Sequence, residues 1–206
     1  MGTWEMTAAE RASLADALDR LPDSDWTQPS LCDGWTVRDV VGHMVTTAQM
    51  TPPKFLGRMA ANGFRFHAMN ASNIQRTTEG RSNAELVAAL RERINTHNAP
   101  PGPSQTWLGE TIVHGEDIFR SLGAYREHPI EHVVTVADFY SKSNLLIGSK
   151  RRIEGITLSA TDADWRYGNG PEARGPAIAL VMAMTGRKRA LEDLTGEGVG
   201  LLRRRD

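Results

Sequence analysis

The sequence predicts a mainly α protein, with a helical bundle over residues 1–148 and a small α+β appendage over 149–206. Through most of the first part, apolar residues recur at helical spacing behind recognisable capping residues. Near residue 156 the pattern changes to the apolar–polar alternation of a short strand. The 206 residues, 40% of them hydrophobic, suit one folded domain with a small addition.

The N-terminal part contains two clear helix starts. Thr7 and Glu10 have the spacing of a capping box, and the helix that they predict ends before a turn-rich link over residues 22–35. Thr36 provides a second start signal, followed by an apolar face that ends at Pro52. We therefore expect two amphipathic helices joined by a structured link.

The middle of the chain gives signals of unequal strength. Glycines weaken the helical pattern over residues 54–80, where Met and Phe side chains fit core packing, a lid or a homodimer surface. A capping box at Ser82 opens the next helix, and a proline-rich loop follows it. Further helices are predicted over 104–122, which Gly123 ends, and over 129–147.

The appendage combines short strands and helices. Alternating residues over 156–160 predict one strand, and residues 165–167 predict its partner. A helix is predicted over 176–184, followed by a short amphipathic helix around Leu191.

Composition excludes several classes of protein. A net charge of −1 argues against a nucleic-acid binder driven by bulk positive charge. The longest apolar run, 177–184, is far shorter than the roughly 20 residues of a membrane span. The N-terminus lacks signal-peptide features, and the single cysteine, Cys32, allows no internal disulfide. We therefore expect a cytoplasmic protein without nucleic-acid or membrane partners.

Two helices carry polar residues inside apolar frames. Glu110 and His114 lie four residues apart, on one face of a predicted helix, with apolar residues on both sides. Burying this pair without partners would cost several kcal/mol, so either a mutual hydrogen bond or a cation must compensate. His43 lies in a similar frame, and Asp39 either orients it or completes the helix cap.

Two imidazoles and one carboxylate give the three protein ligands of a catalytic zinc site with an open position. Spacing alone favours a surface salt bridge for Glu110 and His114, whereas the apolar frame favours a metal. His128 and His132 share the four-residue spacing, but His128 precedes a proline, so we expect it to be exposed and not to bind metal. Cys32 is interpreted as a small buried hydrophobic residue.

Two motifs resemble a known family. The segment Leu31-Cys-Asp-Gly-Trp-Thr-Val-Arg-Asp-Val-Val-Gly-His43 is similar to the histidine signature of the mycothiol-dependent maleylpyruvate isomerase family, within the DinB/YfiT-like superfamily. The segment Glu110-Thr-Ile-Val-His-Gly-Glu-Asp-Ile-Phe-Arg-Ser-Leu-Gly123 resembles the second signature of that family. Weaker similarity continues into the C-terminal part.

The resemblance implies a DinB-like four-helix bundle that holds a divalent metal, usually zinc, with His43, Glu110 and His114 as ligands; Ni²⁺ and Fe²⁺ are alternatives. It also implies mycothiol, the low-molecular-weight thiol of actinobacteria, as cosubstrate. The family's sterol-carrier-like C-terminal domain is abbreviated in this chain, which leaves the substrate open.

These features predict a mycothiol-dependent S-transferase or isomerase that acts on a small electrophile. Zinc with two neutral imidazoles and one carboxylate keeps about one positive charge and favours a thiolate. Candidate orienting, cofactor or substrate contacts are the residues Asp39, Asp117, Arg120, Arg174 and Arg187, for each of which an ordinary ion pair is an equal alternative.

Three other functions fit the same residues. The metal would activate water in a hydrolase. Two histidines and one carboxylate also match the facial triad of non-haem iron oxygenases. Finally, the chain would be a non-catalytic, metal-containing binding protein if its metal were structural, although structural zinc sites usually have four protein ligands.

Overall fold

The computed structural model describes residues 1–145 and 147–205. These residues group into two compact units, Met1–Arg126 and Glu127–Asp206. The predicted mainly α fold is confirmed, with one small three-stranded sheet in the described residues. No helix within these ranges has the length and apolar character needed to cross a bilayer.

The first unit is entirely helical in its regular structure. Its α-helices are α1 (Thr3–Leu18), α2 (Val37–Gln49), α3 (Pro52–Ala61), α4 (Phe66–Thr78), α5 (Asn83–Arg91) and α6 (Ser104–Ser121). A 3₁₀ helix, Asp23–Thr27, lies in the link after α1. Helix α1 packs on α5 and α6, whereas α2 packs on α4, α5 and α6.

Apolar side chains from α1, α2, α5 and α6 form the core of this unit. Leu14, Val41, Leu90 and Ile118 are almost completely buried there, and Trp26 of the link packs with them. Helix α3 contributes no buried residue. The core therefore fixes α2 and α6, the two helices that carry the candidate ligands.

Of the three predicted helix starts at Thr7, Thr36 and Ser82, the last two are confirmed, and both are capping boxes. The Thr36 hydroxyl accepts from Asp39 N, and the Ser82 hydroxyl accepts from Glu85 N, at 3.2 Å each. The box predicted at Thr7 is wrong, because α1 begins four residues earlier. There Gly2 N donates to the Glu5 carboxylate at 2.9 Å, while Thr7 bonds back into the helix.

The second unit combines helices with the sheet. Its elements are α7 (Ile130–Lys142), α8 (Ser149–Arg152), β1 (Thr157–Ala160), β2 (Arg166–Tyr167), β3 (Glu172–Gly175), α9 (Ala177–Met184) and α10 (Gly198–Arg203). The predicted amphipathic helix near Leu191 is the 3₁₀ helix Lys188–Asp193. Strand β1 lies in the centre, antiparallel to β2 and parallel to β3, a strand that the sequence pattern did not predict.

The division between the units differs from the domain boundary expected at residue 148. Helix α7 groups with the second unit because its apolar face packs on α9. It also ends at Lys142 rather than near 147. Beyond that point, the Ser149 hydroxyl lies within donating distance of two carbonyl oxygens, Tyr140 O at 2.8 Å and Ser143 O at 2.9 Å. These carbonyls would accept backbone N–H groups if the helix continued.

Candidate metal centre

Helix α2 positions His43 in the second turn after its cap. The Asp39 carboxylate accepts from Thr36 N at 2.9 Å and from the Thr36 hydroxyl at 2.7 Å. Asp39 therefore completes the cap of the helix, which is one of the two roles that the sequence left open for it. Val40 and Met44, which lie near His43 on α2, are buried, so core packing fixes the part of α2 that carries His43.

Helix α6 presents Glu110 and His114 on successive turns. Leu108, Ile112 and Val113 beside them are buried, as the apolar frame predicted. The side chains of Glu110 and His114 retain only 13% and 15% of their exposure. Both groups are therefore largely withdrawn from water but still reachable from one side.

The structure brings the three predicted residues together. His43 Nε2 lies 3.3 Å from Glu110 Oε1, and the rings of His43 and His114 meet edge to face at 5.1 Å. Taking one ligand atom from each of His43, Glu110 and His114, all three atoms lie within 4.8 Å of one another. A single ion can thus reach a donor from each residue.

The charge state of Glu110 follows from its neighbours. Burial raises the pKa of the Glu110 carboxyl, but the hydrogen bond with His43 and the charges of His43 and His114 lower it, as does a hydrogen bond with Thr47. The net result is a pKa below the usual glutamate range. The carboxylate is consequently ionised at neutral pH, as a metal ligand must be.

Asp117 and Cys32 lie behind His114. Asp117 is fully buried, and its Oδ2 is 3.0 Å from His114 Nδ1. The Cys32 thiol donates to the same oxygen at 3.1 Å, and its sulfur lies 3.6 Å from Nδ1. Of the roles considered for Asp117, the structure therefore favours orienting His114.

Cys32 was underestimated by sequence reasoning. Its half-buried side chain packs against the core, as a small hydrophobic residue would, but its thiol also makes polar contacts with His114 and Asp117. Its place in the same motif as His43 was the available signal. Trp35, from that motif too, lies tilted against the rings of His43 and His114, at 5.1 and 6.4 Å.

The three candidate arginines have other surroundings. Arg120 is buried, bonds Glu116 through its Nε and lies over the ring of Tyr125. Arg174 is exposed on β3, and Arg187 donates to Thr185 O at 3.1 Å, both in the second unit. Cofactor or substrate contacts of these arginines stay predictions.

The second histidine pair lies outside the centre. His128 is half-buried and His132 is buried at 1% exposure, with its Nε2 3.9 Å from the Glu131 carboxylate. Among the described residues, neither histidine belongs to a cluster of three potential ligands. The prediction that His128 is exposed is wrong, because it is half-buried.

The donor set fits a divalent cation. Two imidazole nitrogens and one carboxylate oxygen suit Zn²⁺, and they also suit Fe²⁺ and Ni²⁺. The Asp117 carboxylate lies 3.0 Å from Nδ1 of His114. A carboxylate behind a ligating histidine is the usual arrangement in protein metal sites.

Comparisons with known proteins bear on the family and on the fold. Residues 7–99 match the family model of the mycothiol maleylpyruvate isomerase N-terminal domain. Two solved structures, a mycothiol-dependent maleylpyruvate isomerase and a histidine-to-alanine mutant, each superpose with a TM-score of 0.65 at 16% identity. Each alignment covers 95% of this chain and 91% of the other. No curated protein sequence matches the chain. The family match over residues 7–99 agrees with the resemblance of the first motif, and the structural likeness shows a shared fold.

Proposed function

We propose that this chain, whose residues 7–99 belong to the mycothiol maleylpyruvate isomerase N-terminal domain family, is a metal-dependent, cytoplasmic enzyme. It activates a low-molecular-weight thiol, mycothiol, for transfer to a small electrophile or for its isomerisation. The observation that carries this proposal is the convergence of His43, Glu110 and His114 within 4.8 Å. The chemistry of the three donors supports a catalytic site, because three protein ligands leave a position for a reactant.

In this proposal, His43, Glu110 and His114 hold the cation, with Zn²⁺ as the first choice. A divalent cation held there supplies the positive charge that lowers the pKa of a thiol from its ordinary value of about 8.5, so that thiolate is available at neutral pH. The ionised Glu110 leaves about one net positive charge at the centre, which favours an anionic sulfur over a neutral one.

The chain's own residues prepare the centre. Asp117 accepts a hydrogen bond from Nδ1 of His114, which keeps the proton off Nε2. Thr47 and His43 hold the Glu110 carboxylate in its ionised form. Trp35 packs against both imidazoles, restricts their rotation and limits the access of water from that side.

Metal content tests the ligands. We expect purified wild-type protein to hold about one equivalent of divalent metal after dialysis, His114→Ala to hold none, and His43→Ala to bind at least 100-fold more weakly. His97→Ala is the matched control, because His97 stacks on Trp4 away from the centre. Wild-type protein that neither retains nor takes up one equivalent contradicts the proposal.

Turnover tests the reaction. Because the two similar structures are of a mycothiol-dependent maleylpyruvate isomerase, maleylpyruvate is the first electrophile to test, followed by a generic thiol-reactive compound. We expect consumption of the electrophile only when mycothiol and metal are both present. Equal turnover without thiol would instead indicate a metal-dependent hydrolase, and metal binding without any turnover would indicate a binding protein.

A further inference from the structure

A second cluster of potential ligands lies around Nδ1 of His114. Cys32, His114 and Asp117 each offer one ligand atom, and these atoms lie within 4.8 Å of one another. We propose that these three residues form an alternative cation site, which takes a thiophilic divalent ion such as Zn²⁺ when the His43–Glu110–His114 site does not hold one. This inference does not depend on the proposed reaction.

The separations of the donor atoms are close to those of a metal site. With metal bonds of about 2.3 Å to sulfur and about 2.0–2.2 Å to nitrogen and oxygen, tetrahedral donors lie roughly 3.4–3.6 Å apart. The distance from Cys32 Sγ to His114 Nδ1 is 3.6 Å and already fits. The distances from Asp117 Oδ2, 3.0 Å to Nδ1 and 3.1 Å to Sγ, need to open by about half an ångström.

The backbone holds the sulfur in this place. Leu31 N donates to Asp117 O at 3.1 Å, which ties the loop before α2 to α6. Cys32 N donates to the Ser30 hydroxyl at 3.1 Å, and Trp35 N donates to Cys32 O at 3.0 Å. Because these bonds fix the backbone of Leu31 and of Cys32 itself, the three donors are organised before any ion arrives.

Burial and charge suit a cation at this point. Asp117 is fully buried, while Cys32 and His114 are half-buried, so an ion can enter from the side of the thiol. Without an ion, the thiol proton bridges to the carboxylate. When a divalent ion binds, that proton leaves, and the thiolate and the carboxylate balance the two positive charges.

The two sites compete for one imidazole. A neutral imidazole carries one free lone pair, on Nε2 when Nδ1 is protonated and on Nδ1 when Nε2 is protonated. The Cys32–His114–Asp117 site needs the lone pair on Nδ1, and whichever nitrogen His114 offers to the His43–Glu110–His114 site, a neutral imidazole can ligate one ion at a time. Each chain therefore holds one ion, and removal of His43 and Glu110 moves that ion to the sulfur-containing site.

Cobalt(II) makes the sulfur-containing site visible, because a thiolate bound to Co²⁺ gives a strong near-ultraviolet charge-transfer absorption. The chain has one cysteine, so any such band must come from Cys32 if the buffer contains a phosphine in place of thiol reductants. We expect no band in wild-type protein with one equivalent of Co²⁺. The full-length His43→Gln/Glu110→Gln variant should bind Co²⁺ and show the band.

Adding Cys32→Ser to that variant should remove the band and weaken Co²⁺ binding at least ten-fold. Far-UV circular dichroism checks that each variant is folded, and if the double variant is not, Glu110→Gln alone carries the same test. Absence of the band at saturating Co²⁺ overturns the second site but leaves the proposed function intact. A band in wild-type protein at one equivalent would support the sulfur site and contradict the proposed function.

Discussion

Helices α6 and α9 bury similar fractions of their residues with opposite chemistry. Helix α9 has no ionisable side chain, and every residue except Ile178 is buried. Helix α6 buries Glu116, Asp117 and Arg120, in addition to its largely buried Glu110 and His114. Since an unpartnered buried charge costs several kcal/mol, α9 needs only packing, whereas every charged group on α6 needs a partner.

The charged groups on α6 and next to it form two sets, which differ in what they contact. Glu116 pairs with Arg120 on the same helix, and Arg126 lies between Glu10 and the ring of Phe119. Those ion pairs stabilise the first unit without requiring a ligand. By contrast, potential ligand atoms of His43, Glu110 and His114 lie within 4.8 Å of one another, and the proposed metal site rests on this grouping.

The largest loss of stability should come from breaking one of the buried ion pairs that need no ligand. Arg126→Met removes the cation that lies 3.7 Å from the buried Glu10 carboxylate, and we expect a loss of about 3–5 kcal/mol in the free energy of unfolding. Arg91→Met, the control, removes exposed pairs with Asp16 and Asp19 that solvent screens, so its loss of stability should be much smaller. Urea denaturation measures both, and similar losses would contradict the distinction between buried and exposed pairs.

Loss of packing in α9 should lower the free energy of unfolding nearly as much, without changing the metal content. Leu180→Ala empties a fully buried position and should cost about 2–5 kcal/mol. The half-buried Ile178 provides a control, since Ile178→Ala should cost less. Both variants should keep the wild-type metal content, and loss of metal in a folded Leu180→Ala protein would show that α9 does more than pack.

Asp117→Asn tests the positioning of His114. Loss of a carboxylate behind a ligating histidine typically weakens metal binding by about 10–100-fold, and competition with a chelating dye measures the change. Asp39→Asn is the matched control, because Asp39 bonds the cap residue Thr36. Equal metal affinities in the two variants would show that Asp117 does not position His114 for metal binding.

The two confirmed caps offer a smaller comparison. Thr36→Ala and Ser82→Ala should each cost about 1 kcal/mol in stability. Only α2, which Thr36 caps, carries a candidate ligand, so Thr36→Ala alone should also weaken metal binding. Thermal unfolding and dye competition on the same samples separate the two effects, and an equal loss of affinity in both variants would point to general loosening of the first unit.

Local signals predicted α2 and α5, because a cap residue followed by a periodic apolar face acts within one helix, and they predicted α6 from its periodic apolar residues and the stop at Gly123. The same periodicity predicted the apolar frame around Glu110 and His114. The position of Cys32 could not be predicted in this way, since 82 residues separate it from His114 and no local pattern says which loop covers which helix. Strand β3 was missed for a similar reason, because its pairing with β1 is parallel and non-local.

The start of α1 shows the limit of local signals as well. Thr7 and Glu10 have the spacing of a capping box, but Glu5 offers the same acceptor to Gly2 earlier in the chain. Both sites satisfy the same rule, and the longer helix buries more apolar surface. Tertiary packing therefore decides between two starts that local sequence leaves nearly equivalent.

The smallest expected effect concerns pH. The pKa of Glu110 lies below its usual range, because the interactions with His43, His114 and Thr47 outweigh burial. A carboxyl whose pKa is lower in the folded state stabilises that state above its unfolded pKa, near pH 4, and loses this contribution as the pH falls through the folded value. Metal-free wild-type protein should therefore be more stable than Glu110→Gln at pH 7, with the difference shrinking below about pH 4. Thermal unfolding between pH 3 and 7 measures this, and a difference that grows on acidification would mean that burial controls the pKa of Glu110.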